Sequence, residues 1–283
     1  MPYAEVIGDP IEQSKSPAIH KHWLARLGLE GDYRAVHVRP DELASYVDGR
    51  RSDADWRGCN VTIPHKEAIA ALIDDVTPEA GGIGAVNCVV RQGDRLIGYN
   101  SDVDGIEAAI GDLDLGGRDV AIVGAGGAAR AMLACLSRHS PGAVIVIARD
   151  TVRATALRSA ALALDLHFVP IGGAAGIFET AALIVNASPL GMTGSPEMPG
   201  ELLAEIEANA IGSTLFDMVY QPLDTAFLRA GAAAGAETID GLTMLIGQAR
   251  RAFSLFFGQE APHGDDALRA ILTAQSIPAS RTA

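Results

Sequence analysis

Lys66 follows Pro64-His65 and precedes Glu67, so a lysine stands where proline at the first helical position predicts a helix to begin. A cation in that turn meets the positive end of the helix dipole, unfavourable by a few tenths to about 1 kcal/mol. Such placement draws a lysine's pKa down, which suits acid–base work; a solvated surface lysine is the alternative. Asn100-Ser101-Asp102-Val103-Asp104-Gly105 is dense in oxygen ligands and follows a predicted strand. A calcium loop would need a bidentate glutamate where Gly111 stands, which leaves an Asx-rich turn or a polar site. Ser14-Lys15-Ser16-Pro17 presents two hydroxyls before a predicted helix, fit to bind a carboxylate or to cap the helix. Asn60, Thr62, Asn87 and Gln248 interrupt apolar segments, and buried amides and hydroxyls must find a structural partner or a ligand.

A second kind of chemistry is written in Gly124-Ala125-Gly126-Gly127-Ala128-Ala129, between a predicted strand and a predicted helix. Gly124 permits a tight turn, Gly126 lets backbone approach a pyrophosphate, and small Ala129 allows close helix–strand packing. Backbone N–H groups and the positive helix end then face phosphate. The next predicted strand ends at Ala148-Arg149-Asp150, with Arg153 one turn on. Arg149 and Arg153 suit a ribose 2′-phosphate and hence NADP, whereas Asp150 suits a 2′-hydroxyl and hence NAD, or caps the following helix.

The elements that must position these groups follow from pattern and size. A chain of 283 residues predicts about two domains. Apolar residues at 48% and charged residues at 20% describe a globular protein. A net charge of −13 argues against a general nucleic-acid partner, without excluding a local basic pocket. No apolar run is long enough for a transmembrane helix, and the start, Met-Pro-Tyr-Ala-Glu, lacks the features of a signal peptide. Three cysteines without paired spacing fit reduced thiols in a cytoplasmic protein. His20 and His22 do not share a helix face, the seven histidines show no ligand spacing, and no metal is expected.

Strands are predicted at 3–8, 32–38, 59–63, 85–90 and 96–99, the last two joined by Gln92-Gly93-Asp94, with helices at 17–27 and at 41–48, where Asp41 is the expected N-cap. The middle alternates more regularly, with strands at 119–123, 144–147, 167–170, 183–186, 214–218 and 237–239 and helices reaching to about 138 and over 150–164. From Gly241 onward only helices are expected, one burying Leu245, Ala249, Ala252, Phe253 and Phe256 and one over 265–274, before a frayed tail at 280–283. The pattern is α/β with two domains: a mixed-sheet domain and a parallel, doubly wound dinucleotide-binding one, joined near 103–118.

Taken in order, the segments resemble the shikimate dehydrogenase family. Ile7-Gly8-Asp9-Pro10 with Ser14-Lys15-Ser16-Pro17, Asn60-Val61-Thr62-Ile63-Pro64-His65-Lys66, Gly84-Ala85-Val86-Asn87 and Asn100-Ser101-Asp102 carry the likeness, as do the glycine loop and Asn186-Ala187-Ser188-Pro189-Leu190-Gly191-Met192. Asp217-Met218-Val219-Tyr220 and Gly241-Leu242-Thr243-Met244-Leu245-Ile246-Gly247-Gln248 complete it. The resemblance implies reversible, NADP-dependent reduction of 3-dehydroshikimate to shikimate, in aromatic amino-acid biosynthesis, by a monomer or homodimer acting on a small molecule. It implies an acid–base pair, Lys66 and Asp102, with Ser14 and Ser16 on the substrate carboxylate. Asn60, Thr62, Asn87, Asp102, Tyr220 and Gln248 would surround its hydroxyls, and Met218 and Gly241 would lie against the nicotinamide. It also implies a Rossmann-like NADP domain over 104–240, inserted into a substrate domain made of 1–103 and 241–283. Ala148-Arg149-Asp150 departs from the family's Asn-Arg-Thr, which keeps an NAD-linked quinate/shikimate dehydrogenase as the alternative; a non-catalytic ligand sensor is a further one.

Overall fold

The structure, a computed structural model, describes residues 1–161, 163–264 and 266–274, without the side chains of residues 153, 159 and 160. The tail expected at 280–283 lies outside the described residues. By contacts the chain divides into two units, Met1–Asp102 with the chain from Gln248 onward, and Val103–Gly247. The second crossing falls at 247/248, inside a helix, where the sequence placed it at the glycine that opens that helix.

The first unit opens with β1 (Tyr3–Gly8), α1 (Ser16–Leu27), β2 (Asp32–His37), α2 (Leu43–Arg51) and β3 (Trp56–Val61). It continues through β4 (Asp75–Val76), α3 (Pro78–Ile83), β5 (Cys88–Gln92) and β6 (Arg95–Tyr99). The strands form a mixed sheet in the order β2-β1-β3-β5-β6-β4, with β1 parallel to both neighbours and β3, β5 and β6 successively antiparallel. Period-two alternation in β1 sends Tyr3 and Ile7 into one core with Trp56 and Ile69, and Ala4 and Val6 into another on the opposite face.

The second unit takes in most of α4 (Asp102–Ile110), then β7 (Asp119–Val123), α5 (Gly127–Leu136), β8 (Ala143–Ala148), α6 (Thr151–Ala154) and β9 (Asp165–Pro170). After it come β10 (Ala181–Asn186), α7 (Gly200–Asn209), β11 (Thr214–Asp217), α8 (Ala226–Ala233) and β12 (Glu237–Ile239). Its sheet is wholly parallel in the order β12-β11-β10-β7-β8-β9. Strand order reverses at β7, as in doubly wound dinucleotide folds. β10 is buried along its whole length, as a parallel strand covered on both faces must be. Last come α9 (Gly241–Phe257), whose Leu245, Ala249, Ala252, Phe253 and Phe256 are all buried, and α10 (Asp266–Ala274).

Three local expectations are corrected. Asp41 caps no α-helix: it lies in a short 3-10 turn, and α2 starts at Leu43 after Glu42. Residues 150–164 do not form one helix, because α6 gives way to a 3-10 segment at Thr155, whose hydroxyl bonds the Val152 carbonyl at 2.6 Å. β-Branched Thr151, Val152 and Thr155 weaken helix propensity there. Pro64 opens no α-helix either: residues 62–67 form a turn ahead of a 3-10 helix, Ala68–Leu72.

Candidate active site and nucleotide cradle

The lysine at 66 is therefore positioned by a turn rather than by the first turn of an α-helix. Buried His65 anchors that turn through Nε2, 2.6 Å from the Val38 carbonyl, and the Lys66 carbonyl accepts the Val86 amide at 2.7 Å. The Lys66 ammonium then donates to Asp102 Oδ2 at 2.6 Å, the lysine side chain 27% exposed and the aspartate 7%. Asp102 opens α4, and its amide bonds the Asn100 Oδ1 at 3.0 Å, so the Asx-rich segment is a turn that sets the aspartate in place.

Asn87 is the hub of this cluster. Its Nδ2 donates to Asp102 Oδ1 at 2.8 Å and lies 3.2 Å from both the Ser101 Oγ and the Gln248 Oε1. Its Oδ1 accepts the Ser101 amide at 2.7 Å. On the other side, the Asn60 amide reaches the Asn87 carbonyl at 3.4 Å and accepts the Tyr33 hydroxyl at 2.6 Å. A continuous polar chain thus runs Tyr33–Asn60–Asn87–Asp102–Lys66, all within the first unit. Burial pushes the Tyr33 phenol well above its ordinary value, so it stays protonated and donates.

Neither Ser14 nor Ser16 caps α1, whose N-cap is Lys15 without a side-chain cap bond. Lys15 itself is buried and donates to the Leu272 carbonyl of α10 at 2.7 Å. The Ser14 Oγ accepts only a long 3.4 Å bond from the Ser16 amide, so this helix start keeps capacity for an anion. Thr62 is half-buried, with its amide bonded to the Ile7 carbonyl and its methyl packed toward Gly8. Sequence reasoning missed Tyr33, because a tyrosine in a strand gives no sign of where its hydroxyl ends.

In the second unit the loop after β7 has the geometry of a phosphate cradle. Gly124 has φ +115°, and a side chain there would meet the Ala187 carbonyl and Ser188 Cβ at 2.9 Å, so only glycine fits. At Gly126 and Gly127 a Cβ would point into open space, and Gly126, the N-cap of α5, makes no side-chain cap bond. Ala125 and Ala128 are half-buried beside them. The amides of this turn therefore face an approachable surface at a helix N-terminus, which fits a dinucleotide pyrophosphate. Arg149 and Asp150 follow β8 and are exposed, and the Asp150 carbonyl accepts the Ala154 amide at 3.0 Å, the N-cap position of α6. The side chain of Arg153 lies outside the described residues.

The segment after β11 and the start of α9 hold the remaining residues singled out in the sequence. Met218 donates its amide to the Asn186 carbonyl at 3.1 Å, and Gly241 lies so close that a Cβ would meet the Val219 carbonyl oxygen at 2.5 Å. Asp217, beneath them, accepts from Asn186, Val219 and Thr225 at 3.0, 2.9 and 2.6 Å, and burial raises its pKa to about 6. Burial likewise raises the phenol of Tyr220, which belongs to this second unit rather than to the one that holds Asn87 and Lys66.

Comparison with known proteins agrees with this geometry. Residues 6–89 match the shikimate dehydrogenase substrate binding domain and residues 241–268 the shikimate 5′-dehydrogenase C-terminal domain. The shikimate dehydrogenase (NADP(+)) of Sphingopyxis alaskensis is 49% identical over 281 residues, covering 96% of this chain and 97% of its own. The crystal structure of shikimate 5-dehydrogenase from Thermus thermophilus, in complex with NADP(H) and shikimate, is 35% identical with a TM-score of 0.80, over 98% of each chain. A quinate dehydrogenase from Corynebacterium glutamicum, in complex with NAD, is 29% identical with a TM-score of 0.82, over 97% of this chain and 98% of that one. Near-complete coverage at such identity, on top of the same ordered segments, places the chain in the shikimate dehydrogenase family.

Proposed function

We propose that this protein is an NADP-dependent shikimate dehydrogenase, interconverting 3-dehydroshikimate and shikimate in aromatic amino-acid biosynthesis. The observation that carries the reading is the 2.6 Å ion pair of Lys66 and Asp102, reached by solvent on the lysine side and braced by Asn87. When bound, the nicotinamide cofactor exchanges a hydride with the carbon that bears the reacting oxygen. Lys66 holds the proton at that oxygen, giving it up as negative charge develops during reduction and taking it back during oxidation. Asp102 keeps the lysine's amino group aimed. Ser14 and Ser16 bind the substrate carboxylate at the start of α1, and Asn60, Thr62, Asn87, Tyr220 and Gln248 take its hydroxyls.

The second unit holds the cofactor: Gly124, Ala125, Gly126, Gly127 and Ala128 around the pyrophosphate, and Met218 and Gly241 against the nicotinamide. Arg149 and Arg153 take the 2′-phosphate, with Asp150 as the N-cap of α6. The three buried free cysteines support a reducing, cytoplasmic setting, where the enzyme works as a monomer or homodimer. No helix among the described residues is long and apolar enough to cross a membrane. One observation favours a second reading: Asp150, a carboxylate at the end of β8, is where an NAD-binding fold grips the ribose. That reading makes the enzyme an NAD-linked quinate/shikimate dehydrogenase.

Initial rates of shikimate oxidation with NADP and NAD side by side decide between them. A kcat/KM strongly favouring NADP is expected. A preference for NAD, with turnover of quinate, selects the second reading, and no turnover with either cofactor overturns both.

A further inference from the structure

Outside the regions assigned above, three chemically different donors converge on one spot of the second unit. Cys135, on α5, and His139, just past its end, stand four residues apart, and the chain keeps turning between them through 2.9 Å bonds to the Cys135 and Leu136 carbonyls. Both side chains therefore share a face. On α4, Glu107 turns the same carboxylate oxygen, Oε2, to each of them. The Cys135 Sγ donates to it at 3.2 Å and His139 Nε2 lies 3.0 Å from it. The three donor atoms all lie within 4.8 Å of one another. The other oxygen, Oε1, folds over Gly111, where a Cβ would stand 3.0 Å from it. The absence of a side chain at 111 thus leaves room for the carboxylate.

We propose that Glu107, Cys135 and His139 form a binding site for a single divalent transition-metal ion of the zinc type, separate from the dehydrogenase chemistry. A thiolate, an imidazole and a carboxylate are the donors zinc prefers, at about 2.3 Å for sulfur and about 2.0–2.2 Å for nitrogen and oxygen. Tetrahedral donors at those lengths stand about 3.3–3.6 Å apart, so the observed 3.0 and 3.2 Å separations open by a few tenths of an ångström, while Cys135 Sγ and His139 Nε2, within 4.8 Å of each other, settle to the same spacing. On binding, the Cys135 thiol releases its proton to solvent. Ligation by His139 replaces the Nε2 contact with Glu107: any proton on Nε2 leaves to solvent or is exchanged for one on Nδ1, so that Nε2 offers its lone pair to the ion. Thiolate and carboxylate together then neutralise the ion's two charges, and water completes the tetrahedron. Cys135 is fully buried, while Glu107 is 40% and His139 12% exposed, so the ion enters past the carboxylate. Arg138, next to His139 in the chain, is exposed. The bound ion clamps α4 to α5.

The test is isothermal titration of the chelator-treated full-length protein with zinc, paired with cobalt(II) absorption spectra. One ion per chain is expected, together with a sulfur-to-cobalt charge-transfer band that Cys135→Ser abolishes. Glu107→Gln and His139→Gln, at the accessible edge, each weaken zinc binding about tenfold or more. Absence of binding, or binding without that band, overturns the proposal and leaves a hydrogen-bonded ion pair. Should Cys135→Ser fail to fold, unchanged zinc affinity in both edge variants overturns it equally. Because the readout needs neither substrate nor NADP, its failure is distinct from failure of the dehydrogenase reading.

Discussion

Glu5 and Asp102 are both buried carboxylates of the first unit, 1% and 5% exposed, yet they are furnished very differently. Glu5 Oε2 accepts from the Tyr46 hydroxyl, the Arg50 Nε and the Trp56 indole at 2.6, 2.8 and 3.1 Å, and Oε1 accepts the second Arg50 nitrogen at 2.9 Å. Its lone pairs are filled by groups that all belong to the fold. Asp102 has two side-chain partners among the described residues, Asn87 and Lys66, one on each oxygen. A carboxylate has about four acceptor sites, so Asp102 keeps roughly half of its capacity, and its lysine partner faces solvent. A saturated carboxylate holds structure together; one left half-satisfied beside a mobile cation is equipped to meet a ligand.

Lys66→Ala tests that contrast with the largest expected effect. The kcat for shikimate oxidation should fall by about 10²–10⁴, while cofactor affinity stays close to wild type. A matching loss of cofactor binding would make Lys66 structural. Glu5→Ala should do the reverse, lowering folding stability by about 3–5 kcal/mol in chemical denaturation with kcat of the folded enzyme preserved. Equal losses of activity and stability in both variants would erase the distinction.

Asp217 extends the comparison to the second unit. Burial lifts its pKa from 3.8 to about 6 despite three donors, so the native state holds this proton more tightly than the unfolded chain. Its contribution to stability is therefore full below pH 3.8 and is lost as pH rises through about 6. Relative to Asp217→Asn, the wild type should lose about 3 kcal/mol across that window, read as a difference in denaturation midpoints. Parallel pH profiles would contradict it. The smallest effect belongs to His20, whose two ring nitrogens are buried without partners among the described residues while the ring stacks on Tyr33 with centroids 3.9 Å apart. Burial drives its pKa down to about 3, so it stays neutral. His20→Phe keeps the stack and removes the orphaned nitrogens, which should raise stability by about 1 kcal/mol. A loss of that size instead would reveal a bridging water.

Much of this was readable before the fold was known, and for identifiable reasons. Asn60, Asn87 and Gln248 stood out because a polar group amid apolar residues has to be explained, Asp102 because it lies in a stretch dense in oxygen ligands, and Gly124 because strand, glycine turn and helix follow in order. What escaped reading depended on distant chain. The helix expected to begin at Pro64 gives way to a turn over residues 62–67, where His65 is held by the Val38 carbonyl. Tyr33 and Glu5 acquire their roles only from partners some thirty to fifty residues away in sequence, and the Cys135–His139 pair gains meaning only when Glu107 arrives from α4.

The core that joins Ala4, Val6, Tyr33, Cys88 and Val90 is completed by Ala252 and Phe256 of α9. During synthesis the first six strands must therefore leave the ribosome with one apolar face lacking its cover, while the whole uninterrupted second unit is still to be made. At about 5–20 residues per second that interval lasts roughly ten to thirty seconds. The later segment can finish folding before the earlier one, which reverses the usual N-terminal-first order. Nascent chains stalled before α9 should accordingly be cut by protease within residues 1–102 and resist it within 103–240.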